Sequence, residues 1–273
     1  MKKFLFLIAF VGIVLLGNAQ KAVKIWETPA ILEVPESVLF DDSVIYVSNV
    51  KGSPAEKDSN GYISRLTPNG DIIAQHWVTG LHAPKGMAVY GNLLYVADVD
   101  RVAVIDRKQG IIVQFIEIPG SKFLNDVTAS NQGVVAVSDM IDNTIYLIRN
   151  NRFELLVKDS VLQQVNGLYW ENENLFAGIA NVIYKVDVTT KILQKLIEGT
   201  GEIDGLERFT ANKFIISDWT GKVQVVSTDS APVEVLNLAA EKYNAADIDY
   251  CIKTKTLFIP TFFGNSLAAY RIE

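Results

Sequence analysis

The chain has 273 residues, with 31 acidic against 25 basic side chains and a formal net charge of −6. An acidic chain without Lys/Arg clusters argues against nucleic acid or an anionic membrane surface as a partner. Cys251 is the only cysteine, so an intramolecular disulfide is excluded, and its strand-like setting Asp249-Tyr250-Cys251-Ile252 reads as a small apolar filler.

The first segment is self-contained. Lys2 and Lys3 precede an apolar run from Phe4 to Leu16, and Gly17-Asn18-Ala19 offers a small-residue cleavage site before Gln20. Residues 1–19 therefore predict a secretory signal peptide and an exported, periplasmic or secreted protein. The run is shorter than the ~20 residues that span a bilayer, so no membrane insertion is expected after cleavage. Residues 20–273 suffice for one domain with a sizeable core, expected to be monomeric.

From there one phrase returns six times: a polar residue, an apolar run, a short turn, then an apolar strand ending in small or acidic residues. The phrases open at Glu36, Lys85, Asn125, Asn166, Asp204 and Asp247, at spacings of 49, 40, 41, 38 and 43. Turn residues such as Tyr90-Gly91-Asn92, Ser130-Asn131-Gln132-Gly133 and Glu171-Asn172-Glu173-Asn174 separate two strands in each phrase, so each is a β-hairpin. Third strands follow, for example at Gly61 to Leu66, Val102 to Asp106 and Thr144 to Ile148, and fourth strands such as Gln114 to Ile118 complete the units. Repeats of about 40 residues with four strands each predict an all-β, six-bladed β-propeller. The last unit lacks a strand, because the chain ends after Ser266 to Ile272; Ala22 to Trp26 can supply it and close the ring. The first unit carries a surplus at residues 51–60, a polar loop that reads either as a lid or as a solvated insertion.

The six opening residues should ring the channel at one depth. Glu36, Asp204, Asn125 and Asn166 form the oxygen-rich donor set that hard cations such as Ca²⁺ prefer, and Lys85 and Asp247 complete the ring around a small-molecule substrate. A cation there could polarise a carbonyl or phosphoryl group. The alternative is structural, since Asn-Gly and Asp-Gly are common turn pairs. The Lys85 ammonium could also pair with Glu36 and make the pocket metal-free. The residues closing the second strands, Asn49, Asp98, Asp139 and Asp218, read as turn-stabilising side chains. His76 and His82 have no metal-ligand spacing.

Pro35-Glu36-Ser37-Val38, Leu124-Asn125-Asp126, Val165-Asn166-Gly167-Leu168-Tyr169-Trp170 and Ile203-Asp204-Gly205-Leu206 resemble the motifs of the senescence-marker-protein/gluconolactonase, or regucalcin-like, family. The resemblance implies metal ligation by Glu36, Asn166 and Asp204, with Asn125 contacting metal or substrate and Asp204 doubling as general base. The implied metal is Ca²⁺ first, with Zn²⁺ or Mn²⁺ as alternatives. The implied activity is hydrolysis of a sugar lactone or related ester. Two further classes stay open: a non-catalytic propeller that binds a ligand or a protein without metal, and a metal-free enzyme resembling strictosidine-synthase-like proteins.

Overall fold

Strand burial follows distance from the propeller axis. Strands such as Val44–Asn49, Leu93–Asp98 and Val135–Asp139 are buried on both faces, and they are continuous runs of Val, Leu, Tyr and Ala because neither face meets water. Outermost strands, such as Ile111–Glu117 and Leu193–Glu198, are largely exposed and carry Gln, Lys and Glu between their apolar residues. The computed structural model describes residues 20–41 and 43–273; the predicted signal peptide and Asp42 of the first hairpin turn lie outside them.

Six four-stranded antiparallel sheets are arranged as a six-bladed β-propeller. Five blades run through the sequence from axis to rim, beginning with Pro35–Asp41, Pro84–Tyr90, Leu124–Ala129, Leu168–Glu171 and Leu206–Thr210. The sixth contains Asp249–Cys251, Thr256–Pro260 and Leu267–Ile272, and its outer strand is Ala22–Glu27 from the other end of the chain. That pairing runs from Ala22 opposite Ile272 to Glu27 opposite Ala268. The ring thus closes through hydrogen bonds between Ala22–Glu27 and Leu267–Ile272, as the strand missing from the last repeat predicted.

The apolar core is divided among the blade interfaces. One cluster joins the first and second blades through Tyr46, Ile63, Leu94 and Val96; another joins the second and third through Tyr95, Val104, Val127 and Val137. Equivalent clusters fill the other four interfaces, and the one between the sixth and first blades packs Phe258 and Leu267 on Val38 and Ile45. Each blade therefore buries its faces only against its neighbours.

The acidic residues closing the second strands hold this architecture together. Asp98 accepts from the His82 and Ala83 N–H groups and from Arg101 Nε. Asp139 accepts from the N–H groups of Lys122, Phe123 and Asp142. Asp218 caps its turn through Thr220 and Lys222, and Asn49 donates to Val47 O and Ser64 Oγ. Their role is structural, in the way expected of short polar side chains beside unpaired backbone. One step inward, Ser48, Ser138 and Ser217 each accept from an innermost-strand amide, those of Ser37, Asp126 and Gly205.

Candidate functional site

The innermost strands approach one another so closely that some positions tolerate no side chain. A Cβ on Gly86 would stand 2.5 Å from Asp126 Cα and 2.8 Å from Asn125 O, and one on Gly205 would stand 2.5 Å from Ile248 N. A Cβ on Gly167 would stand 2.7 Å from Asp204 O. The glycines of Lys85-Gly86, Asn166-Gly167 and Asp204-Gly205 are thus packing glycines of the axis; their φ angles are not positive, so Asn166-Gly167 and Asp204-Gly205 do not form the left-handed turns that such pairs often make.

This crowding turns the preceding side chains into the channel. Glu36, Lys85, Asn125, Asn166 and Asp204 line one cavity of about 310 Å³, together with Phe123, Met140, Ile203, Trp219 and Phe262. All five are buried. Asn166 Nδ2 donates to Asp204 Oδ1 at 2.9 Å, which links the fourth and fifth blades. Asn125 Nδ2 contacts Met140 Sδ at 3.6 Å. Pro54 brings the predicted surplus loop to the cavity wall, and that loop is tied down by a Lys57–Asp100 ion pair.

Asp247 does not share that depth. Asn166 N–H donates to Gly178 O and Asp204 N–H to Ser217 O, and the matching donation in the sixth blade, to Pro260 O, comes from Ala246. Ala246 therefore occupies the ring level. Asp247 falls one residue further down, level with Ser37, where it accepts from Ser37 Oγ at 2.5 Å and donates its N–H to Glu36 O at 3.0 Å. It lines a second cavity of about 200 Å³ with Asp126, Glu207, Asp249 and Tyr169. Asp126, Glu207 and Asp249 were not singled out as site residues from the sequence; the alternate spacing of Asp247 and Asp249 is the period-two signal for residues facing the axis.

Burial dominates the electrostatics of both cavities. It pushes the Asp204 carboxyl up to about 7, against the opposing Asn166 hydrogen bond. Glu36 is raised well above the usual carboxylate range, first by burial and next by the Asp204 charge, with Lys85 acting in the opposite direction. Lys85 is lowered to about 8 by burial, partly offset by Glu36 and Asp98. Below them, burial raises Asp126 to about 7 and Asp249 to about 6, and holds Glu207 and Asp247 well above the ordinary range.

Lys85 does not cap Glu36. Its ammonium donates to Ala83 O at 2.9 Å and stands 4.4 Å from the centre of the Phe123 ring. Among the described residues, Glu36 Oε2 and Asn166 Oδ1 remain buried with no hydrogen-bond partner. Two orphaned oxygens beside the Asp204 carboxylate are a donor set with the oxygen chemistry of a hard cation, so the residues present fit the implied metal.

No family model matches the chain, and no curated protein matches it. Among solved structures it is similar to a catalytically inactive virginiamycin B lyase from Staphylococcus aureus with quinupristin, at 13% identity and a TM-score of 0.65, over 92% of this chain and 98% of that one. It is also similar to a chain of a nidogen/laminin complex, at 18% identity and a TM-score of 0.59, over 72% of this chain and 76% of that one. At these identities the likeness establishes the propeller fold, which hosts enzymes and binding modules alike.

Proposed function

We propose that this protein binds a small molecule in the upper channel cavity and hydrolyses a lactone or related ester there with the aid of a divalent cation, Ca²⁺ foremost. The observation that carries the reading is the pair of buried, partnerless oxygens, Glu36 Oε2 and Asn166 Oδ1, flanking Asp204. Asn49 Oδ1, Tyr62 Oη and Arg65 Nε are also buried without a partner, but of these unpaired groups only Glu36 Oε2 and Asn166 Oδ1 face the cavity; leaving acceptors unpaired there is costly, and a bound cation offsets that cost.

Glu36, Asn166 and Asp204 would hold the cation, with Asn125 at its side. When bound, it would polarise the ester carbonyl and stabilise negative charge developing on that oxygen. Asn166 fixes the orientation of the Asp204 carboxylate through its hydrogen bond. Asp204 is the proton acceptor for the attacking water and returns the proton to the leaving alkoxide. Phe123 and Met140, on the cavity wall, exclude bulk water. Glu36→Gln and Asp204→Asn test the reading: calcium binding and lactonase activity should both be lost, and survival of both in the variants would overturn it.

Lys85 favours a second reading, a metal-free binding site. Its fully buried ammonium is a positive charge already present beside Glu36. Purified protein without a divalent ion above background, and with no thermal stabilisation on calcium addition, would select this reading. Export with removal of residues 1–19 belongs to the same proposal, and N-terminal sequencing of the mature protein checks it.

A further inference from the structure

The wall of the upper cavity carries information that its polar floor does not. Trp219 follows the fifth-blade strand Lys213–Ser217, and Phe262 follows the sixth-blade strand Thr256–Pro260. Their rings meet edge to face with centroids 4.5 Å apart, and both line the cavity. Phe263 packs on both, at 4.8 Å from Phe262 and 6.2 Å from Trp219.

Phe262 reaches this position at φ 48, a left-handed conformation that a bulky side chain rarely adopts. Several hydrogen bonds brace the turn holding it there: Gly264 N–H donates to Thr261 O at 3.0 Å, Ser266 N–H to Thr261 Oγ1 at 3.1 Å, and the Thr261 and Ser266 hydroxyls meet at 2.9 Å. Folding alone does not account for the cluster. Phe262 itself is buried, but the two rings it packs against are not: Phe263 is 68% exposed and Trp219 38%, so the strained turn holds a cluster that leaves aromatic surface open to solvent.

Such a wall discriminates between classes of substrate. Beyond the polar floor, among the described residues only Gln164 and Glu202 offer hydrogen-bonding amide or carboxylate side chains to the cavity, so a polyhydroxylated ring would press most of its remaining hydroxyls against Phe123, Met140, Ile203, Trp219 and Phe262, and a hydroxyl buried without a partner is penalised. An alkyl or aryl body gains there instead. We infer that the ligand is an amphiphile, a lactone or ester carbonyl carried on an alkyl or aryl body, and not a sugar lactone. This rests on reading the Glu36, Asn166 and Asp204 floor as the carbonyl end of the site; the body lies along Trp219 and Phe262, with Phe263 extending the contact at the mouth.

The test is a binding series on the full protein supplemented with calcium, using γ-lactones from γ-butyrolactone to γ-undecanolactone, with gluconolactone as the polar comparison and titration calorimetry alongside turnover. Affinity should rise about three- to fourfold per added methylene over the first several carbons. Phe263→Ala, an exposed site that does not threaten folding, and Trp219→Ala should both flatten that slope, and gluconolactone should bind more weakly than the medium-chain lactones. A flat series, or gluconolactone as the tightest ligand, overturns the inference. Turnover with a flat series would uphold the hydrolase and sink the amphiphile; a steep series without turnover would do the reverse.

Discussion

Asn166 spends its amide N–H on Asp204 Oδ1, and so its carbonyl oxygen, on the same side chain, is left buried with no donor. One hydrogen bond thereby joins two blades, orients a carboxylate and creates an acceptor vacancy next to Glu36.

Glu36→Gln should separate stability from binding. The wild-type carboxylate is buried with a partnerless oxygen, so the neutral amide should raise the midpoint of thermal unfolding in chelator-treated protein. The same variant should lose the calcium-dependent gain, which for wild type is about 2.7 kcal/mol at a hundredfold excess over Kd. Calorimetric melts with calcium and with chelator read both effects.

Gly86→Ala should destabilise the protein and disturb the site together. The new Cβ would lie 2.5 Å from Asp126 Cα and 2.8 Å from Asn125 O, and relieving that contact must move the strand carrying Asn125. Overpacking of this kind costs about 1–3 kcal/mol. Urea denaturation should show the loss of stability, and calcium affinity should fall with it.

The lower cavity should make stability fall as pH rises. Asp249 has its carboxyl pushed up to about 6 from 3.8 by burial. An acid raised in this way binds its proton more tightly in the folded chain, so its charge costs nothing below its unfolded value and costs most above about 6. At 1.36 kcal/mol per pH unit the full cost is at most about 3 kcal/mol, reduced where the channel admits water. Glu207, raised by burial and by Asp249, acts with the same sign. Asp249→Asn keeps an acceptor for the Phe40 N–H and should gain about 1–3 kcal/mol at about pH 8 while changing little near pH 4. Denaturation curves across that range test it.

Asp139→Ala should be among the most damaging single changes outside the cavity. It strands the N–H groups of Lys122, Phe123 and Asp142, and losing three charge-assisted bonds to part-buried amides costs about 2–3 kcal/mol. Because Phe123 lies against Lys85, ligand affinity should fall as well, measurable by calorimetry on whatever folded protein remains.

Deleting residues up to Glu27 should unlatch the ring. The strand Leu267–Ile272 would lose its partner Ala22–Glu27 and present an open edge. Light scattering should show aggregation at temperatures where the protein beginning at Gln20 stays monodisperse.

The sequence alone determined the blade count, the closing strand and the convergence of Glu36, Lys85, Asn125, Asn166 and Asp204, because hydrophobic periodicity and turn residues are local and repeat in phase. It also announced the structural use of Asp98, Asp139 and Asp218, whose partners lie in neighbouring turns. Three matters were decided only in the folded molecule. Asp247 sits one level below the ring because Ala246, not Asp247, makes the donation to Pro260 O, and a one-residue slip moves every side chain of a strand to another depth. Lys85 turns to Ala83 O and Phe123 rather than to Glu36, a choice among rotamers that spacing cannot express. The aromatic wall assembles Trp219 and Phe262 from different blades through a strained turn; no window of sequence contains both, and only closure of the ring brings them together.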